Sequence, residues 1–88
     1  MPYCIAVYDV RPRRAARVLK LFRRYLFHVQ RSVFEGTLTE RQRTELMAEA
    51  RRLIDPDEDC LILYEIAHPH LVQRELIGSE LYPMSTII

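Results

Sequence analysis

The 88-residue sequence predicts a single α+β domain, and three observations support this prediction. Two apolar runs rich in strand-forming residues, Tyr3–Tyr8 and Cys60–Ile66, are typical of strands buried in a sheet. Between them, two stretches with apolar residues at three- and four-residue spacing predict amphipathic helices. The composition, 49% apolar and 28% charged, is that of a globular chain and excludes a disordered one. A chain of this length forms one domain.

The first strand and the first helix follow each other closely. Tyr3–Tyr8 is apolar throughout, which predicts a central strand buried on both faces, with Tyr8 in the core. Pro12 suits the first turn of a helix, which we expect to run to about Leu26. The apolar face of this helix consists of Ala15, Val18, Leu19, Phe22 and Leu26. The opposite face is basic and consists of Arg13, Arg17, Lys20 and Arg24.

The middle of the chain contains more strand and a second helix. Phe27–Leu38 is rich in strand formers but does not alternate cleanly. It predicts either two short strands with a turn near Gln30–Ser32 or one strand broken by a bulge. Thr39–Gln42 has the pattern of a capping box, so a helix begins there. Asp55 and Pro56 end this helix, because the residue before proline avoids the helical region.

The last third of the chain predicts a strand at Cys60–Ile66, a short strand at Arg74–Gly78 and a strand-like tail at Met84–Ile88. The order β-α-β-β-α-β is that of a ferredoxin-like sandwich, with both helices on one face of an antiparallel sheet. We expect residues 1–80 to form this domain. The apolar tail has little left to pack on in so small a chain, so residues 81–88 are expected to add a strand to a partner subunit in a homodimer.

The charge is distributed unevenly, although the net formal charge is only +1. Residues 1–34 carry eight basic side chains against one acid, and residues 35–88 carry five against eleven. Twelve of the thirteen basic residues are arginine, whose guanidinium binds phosphate in a bidentate manner. A solvated helix face and a nucleic-acid-binding surface are both compatible with this pattern.

Asp9 is the only acidic residue among residues 1–34, and it directly follows the first predicted strand. It could be a turn aspartate that accepts hydrogen bonds from local amides. It could instead be a metal ligand, although one carboxylate is too few for a Mg²⁺ nuclease site, because such an ion needs oxygen ligands from protein, water and phosphate together. A twofold axis would supply a second Asp9, and two carboxylates close together favour a divalent cation between them.

Other chemistries find little support in the sequence. Two isolated glycines cannot build a phosphate-cradling loop, and no serine lies in a nucleophile-elbow motif. His28, His68 and His70 lack metal-ligand spacing. Cys4 and Cys60 form no C-x-x-C pair, and no basic export signal precedes the first apolar run. Both cysteines are therefore expected to be reduced and to pack as small hydrophobic residues in a cytoplasmic protein.

Three segments together resemble a known family. Tyr8 and Asp9 close a strand that precedes a basic helix, and Val29–Thr39 reads V-Q-x-S-V-F-E-G-x-L-T. Ile54–Asp59 reads I-D-P-x-E-D and leads into a strand. Up to Ile66, the sequence resembles the CRISPR-associated Cas-two family of the spacer-acquisition machinery.

The resemblance implies a ferredoxin-like homodimer that acts in prokaryotic antiviral defence. Its function would be that of a metal-dependent endonuclease cleaving phosphodiester bonds in RNA or double-stranded DNA, with Mg²⁺ as cofactor. It also leaves open a non-catalytic DNA-binding adaptor that bridges the Cas-one integrase. Either function implies nucleic acid and a second copy of the chain as partners, and neither involves a membrane.

The resemblance also assigns roles to individual residues. Asp9 matches the family's metal-binding and catalytic aspartate, and Arg17 and Phe34 match positions implicated in handling nucleic acid. Tyr8 and His28 are further accessory candidates, and His28 stands where many members carry arginine. The residues expected to bind nucleic acid are Arg13, Arg17, Lys20, Arg24 and Arg31.

Overall fold

The computed structural model describes residues 1–79, and its elements follow the predicted order. They are β1 (Tyr3–Asp9), α1 (Pro12–Arg23), β2 (Phe27–Gln30), β3 (Val33–Thr37), α2 (Glu40–Leu53), β4 (Cys60–Ile66) and a 3-10 turn at Pro69–Leu71. No helix within residues 1–79 is long and apolar enough to cross a membrane.

The four strands form one antiparallel sheet in the order β2-β3-β1-β4. β1 is central, as predicted, and its Ala6 lies opposite Phe34 of β3 on one side and Leu63 of β4 on the other. Buried residues of both helices join the same core as Ala6 and Phe34, so the helices cover one face of the sheet. This arrangement confirms the predicted α+β, ferredoxin-like fold.

An aromatic cluster forms the centre of the core. The ring centroids of Tyr8, Phe22 and Phe34 lie 5.5, 5.6 and 6.1 Å apart, within the range of favourable aromatic pairs. Phe22 and Phe34 are fully buried, and Tyr8 is 7% exposed. The prediction that Tyr8 belongs to the core is confirmed. The cluster ties the end of β1 to both α1 and the β2–β3 hairpin.

The predictions for the middle of the chain, a capping box at Thr39–Gln42 and two short strands or a bulge in Phe27–Leu38, are confirmed. The backbone N–H of Gln42 donates to Thr39 Oγ1 (3.1 Å), and that of Thr39 donates to Gln42 Oε1 (2.9 Å), which completes the capping box. Phe27–Leu38 contains both of the proposed features, since two strands meet at a turn and their register shifts between His28 and Gln30.

The prediction that β1 is buried on both faces is confirmed for the helix-covered face, whereas Ile5 and Val7 on the other face are only half-buried. The strand β4, also predicted to be buried, consists of exposed and half-buried residues. The sheet face away from the helices is open, and it exposes Phe27, Ile62 and Tyr64 by 48%, 44% and 54%. Cys60, at the start of the edge strand β4, is exposed as well, whereas Cys4 is buried as expected. The two apolar runs therefore place apolar residues on both faces of the sheet. The helices cover one face, and no element within residues 1–79 covers the other in the same way.

Two boundaries near the ends of elements also differ from the predictions. α1 ends at Arg23, although Leu26 remains buried in the turn that follows. Arg74–Gly78 forms no strand: Arg74 makes an ion pair with Glu35 of β3 (3.2 Å), and Gly78 has a φ of +104° that interrupts an extended backbone. The tail Met84–Ile88, expected to pack on a partner, lies outside the described residues.

Candidate functional site

A cleft of about 340 Å³ lies between α1 and the β2–β3 hairpin, next to the end of β1. Asp9, His28 and Arg31, three of the residues singled out from the sequence, line this cleft together with Tyr8. α1 contributes aliphatic side chains to it, namely Ala15, Ala16 and Leu19. The fold therefore brings Asp9, His28 and Arg31, which are distant in the sequence, to the edge of the same cleft.

Asp9 is exposed at the last position of β1. In the sheet register it lies opposite Cys60, the first residue of β4. Because side chains alternate along a strand, Asp9 belongs to the open face, whereas its neighbour Tyr8 belongs to the helix-covered face. Within residues 1–79, no group of three or more His, Cys, Asp or Glu side chains is placed to hold a metal ion. The described part of one protomer thus offers the Asp9 carboxylate without a complete metal site around it.

His28 stabilises the turn of the β2–β3 hairpin. Its ring stacks on Phe34 with a centroid distance of 4.5 Å and an interplanar angle of 9°. Its Nε2 lies 2.6 Å from the carbonyl oxygen of Arg31. A carbonyl oxygen only accepts, so Nε2 is the nitrogen that carries a proton and donates. His28 therefore contributes to the site by fixing the backbone of Arg31.

The predicted nucleic-acid ligands divide into two groups. Arg13 forms an ion pair with Glu58 (2.5 Å) and Arg24 forms one with Glu49 (3.1 Å). The side chains of Arg17, Lys20 and Arg31 are exposed and make no ion pair within residues 1–79. The second group carries the positive charge that this surface can offer to phosphate. Phe34, by contrast, is fully buried, so it can influence the site only through packing.

Sequence reasoning missed the Asp59 cluster, in which Asp59 connects the start of β4 to the start of α1. The Asp59 side chain is fully buried, and its carboxylate accepts hydrogen bonds from Arg14 Nε (2.6 Å) and from the backbone N–H groups of Arg11 (2.8 Å) and Asp55 (3.0 Å). Hydrogen bonding to the Arg14 guanidinium holds the pKa of the Asp59 carboxyl far below its usual range. The cluster fixes the turn that directly follows Asp9.

One signal could have revealed this cluster. In an antiparallel pair the end of one strand lies beside the start of the other, so the acidic loop before β4 had to meet the basic start of α1. The helical spacing instead predicted a basic outer face that consists of Arg13, Arg17, Lys20 and Arg24, either solvated or in contact with nucleic acid. Arg14 lies outside this face, and its side chain is only 16% exposed.

The fold and the site define the class of protein, which is a small ferredoxin-like protein with a carboxylate at the end of β1 beside a basic helix. The family model described as CRISPR associated protein Cas2 matches residues 1–73. The chain belongs to this family, and the resemblance noted in the sequence is confirmed.

Two relatives with assigned names match nearly the whole chain. The CRISPR-associated endoribonuclease Cas2 of Thermococcus kodakarensis is 41% identical over 86 residues, which cover 98% of this chain and 99% of the relative. The CRISPR-associated endoribonuclease Cas2 of Methanocaldococcus jannaschii is 37% identical over 86 residues, which cover 98% of this chain and 75% of the relative.

Solved structures agree with the fold. A crystal structure of a Cas2 protein has a TM-score of 0.84 and 37% identity to this chain, and the match covers 99% of this chain and 98% of that one. Streptococcus pyogenes Cas2 has a TM-score of 0.76 and 26% identity, with 86% of this chain and 99% of that one covered.

Proposed function

We propose that the protein is a metal-dependent endonuclease of CRISPR adaptation that acts, as a homodimer, on RNA or double-stranded DNA. The observation that carries the proposal is the position of Asp9, exposed at the end of the central strand and lining the same cleft as Arg31. Relatives at 37–41% identity are named endoribonucleases, which supports nuclease chemistry in this chain.

The open face of the sheet supports the homodimer. Phe27, Ile62 and Tyr64 expose apolar surface there, and such a patch on a small domain marks an interaction surface. A second copy of the chain presents the same apolar face, so packing face to face would bury both. Asp9 belongs to this face, and a twofold axis through it would bring two copies of Asp9 near each other. The segment 81–88 would add a strand to the partner's sheet.

The side chain of Asp9 fits the proposed Mg²⁺ in type, because this ion prefers carboxylate oxygens and retains several waters. Two copies of Asp9 would hold it, and the bound ion would polarise a phosphodiester and activate water. The remaining roles belong to residues of this chain. Arg17 and Arg31 would bind the phosphate backbone. His28 would keep Arg31 in place by donating a hydrogen bond to the Arg31 carbonyl oxygen.

The exposed pair Arg17 and Lys20 supports a second candidate, the DNA-binding adaptor that bridges the Cas-one integrase. Both residues lie on α1 and make no ion pair within residues 1–79. Binding of duplex DNA through this helix would not depend on Asp9. The two candidates therefore make opposite predictions for the loss of the Asp9 carboxylate.

The experiment compares the wild type with Asp9→Asn in two assays, cleavage of labelled RNA and duplex DNA with Mg²⁺ or EDTA, and spacer acquisition with the integrase. We expect Asp9→Asn to abolish Mg²⁺-dependent cleavage and to keep its fold by circular dichroism. Asp57→Asn, at an exposed position away from the cleft, is the matched control and should cleave normally. Absence of cleavage by the wild type on both substrates would overturn the nuclease. Acquisition that persists in Asp9→Asn would favour the adaptor.

A further inference from the structure

The cleft beside Asp9 has the dimensions of a site for one small ring system. Its volume of about 340 Å³ lies at the lower end of the range for small-molecule sites. Ala15 and Ala16 line it from α1, and their methyl groups are the smallest side chains that a helix commonly carries. A longer side chain at Ala16 would project into the space. The cleft therefore depends on small residues at these two positions of the helix.

The backbone of Arg31 provides an independent observation at the same cleft. Its φ of +37° lies in the left-handed region. Within residues 1–79, Arg31 is the only residue other than glycine that has a positive φ. Glycine and asparagine are the usual residues at such a hairpin position, so an arginine here is held against its backbone preference. The hydrogen bond from His28 Nε2 to its carbonyl oxygen helps to maintain this conformation. Backbone strain of this kind is concentrated at functional sites.

The chemistry around the cleft favours one kind of ligand. Arg31 lines it with a cation that makes no ion pair within residues 1–79, and Arg17 follows Ala16 on α1. The aliphatic side chains of Val10 and Leu19 can contact the face of a planar ring, and the Ser32 hydroxyl can donate or accept at its edge. An apolar cavity with a polar edge and an adjacent cation matches a nucleobase attached to its phosphate.

We propose that this cleft binds the base of one unpaired nucleotide while Arg31 contacts an adjacent phosphate. The inference rests on the proposed function in taking nucleic acid as the ligand, and goes beyond it by assigning a base site to this cleft. A base inside a duplex is stacked on both sides and paired at its edge, so it cannot enter a cleft without being flipped out. An unpaired base is already free to leave the strand and insert into a protein pocket.

The test measures binding in EDTA, so that it does not depend on cleavage. Probes are a labelled single-stranded 12-nucleotide RNA, the same backbone with abasic residues, and the corresponding duplex. We expect the wild type to bind the intact single strand about 10-fold more tightly than the abasic strand, the order expected when one base is lost from a stacking site. Ala16→Met fills the cleft while keeping a good helix former at an exposed position, and it should abolish this preference.

Ala48→Met on α2, away from the cleft, is the matched control and should bind as the wild type does. Equal binding of the intact and abasic strands by the wild type would overturn the base site, as would an unchanged preference in Ala16→Met. Cleavage of RNA by a wild type without base preference would leave the proposed nuclease intact and reject this inference. A base preference without any cleavage would support the inference and reject the nuclease.

A second variant tests the role of Arg31. Arg31→Gly replaces the arginine by the residue that the left-handed backbone favours, so its melting temperature should equal or exceed that of the wild type. Its affinity for the single strand should fall, and the slope of log K against log salt should decrease by about one phosphate contact. An unchanged affinity and salt slope would overturn the phosphate contact of Arg31.

Discussion

The two faces of the sheet use similar residues in different ways. On the helix-covered face, Tyr8, Phe22 and Phe34 pack ring against ring and are almost completely buried. On the open face, Ile62 and Tyr64 remain 44% and 54% exposed. An isolated domain gains nothing from exposing such residues, so the open face has the composition of a surface that a second layer covers. The first face determines the fold, and the second is available for assembly.

The strongest test of this comparison removes one aromatic ring from each face. Phe34→Ala deletes a fully buried side chain and should lower the free energy of unfolding by about 3–5 kcal/mol. Phe27→Ala removes the same ring where it is 48% exposed, and should cost less than half as much in the monomer. Urea denaturation monitored by circular dichroism measures both. Equal losses would show that the faces do not differ as described.

A charge on the open face tests whether that face mediates assembly. Ile62→Asp should leave the protomer folded, because the position is 44% exposed, but it would place an unpaired carboxylate in the proposed dimer interface. Burial of such a charge costs several kcal/mol, so the dissociation constant of the dimer should rise roughly 100-fold or more. Sedimentation velocity measures the change, with Thr44→Asp on the exposed surface of α2 as control. A wild type that is monomeric at micromolar concentration would contradict the homodimer.

The Asp59 cluster, which joins the start of α1 to the loop before β4, predicts a response to acid. Its hydrogen bonds with Arg14 lower the pKa of Asp59 in the folded state below the ordinary value of 3.8. The stabilisation is therefore complete above that value and is lost as the pH falls below it towards the folded pKa. Asp59→Asn should lower the melting temperature at pH 7 and reduce its decline below pH 4. Asp57→Asn, which is exposed, should retain the wild-type acid profile; a similar profile in Asp59→Asn would reject this account.

The smallest expected effect concerns Tyr3 on the open face. Burial, the negative charge of Glu35 and a hydrogen bond to Glu35 together raise the pKa of Tyr3 from 10.0 to about 12. The folded state thus holds the phenolic proton more tightly, and stability should fall as the pH rises from 10 to 12. Tyr3→Phe should remove about 1 kcal/mol of this loss at pH 11. Urea denaturation at pH 9 and pH 11 measures it, and an identical loss in the variant would exclude Tyr3 as the cause.

The elements of the fold were predictable because their signals are local. The capping box at Thr39–Gln42, the end of α2 before Pro56 and the strand at Cys60–Ile66 each depend on residues within one or two turns of chain. What could not be predicted was which face the helices cover. An apolar run such as Tyr3–Tyr8 shows that both faces of the strand are apolar. It does not show whether a face is buried within the monomer or in an assembly.

The candidate site was predictable in its residues but not in its shape. Asp9 follows a strand and Arg31 lies in a turn, and both positions can be recognised in the sequence. The cleft between them exists because α1 docks against the hairpin through Phe22 and Phe34, a contact between distant parts of the chain. The hydrogen bond from His28 to the Arg31 carbonyl oxygen depends on a left-handed residue that the sequence does not reveal.

The Asp59 cluster also has a consequence for the order of folding. Its bonds join residues 45 and 48 positions apart, so the chain must close a long loop before they can form. During synthesis, the start of α1 remains without this support until the loop before β4 has emerged. We therefore expect the cluster to form late, after the transition state for folding. Asp59→Asn should accelerate unfolding in stopped-flow experiments more than it slows refolding, and equal effects on both rates would place the cluster in the folding nucleus.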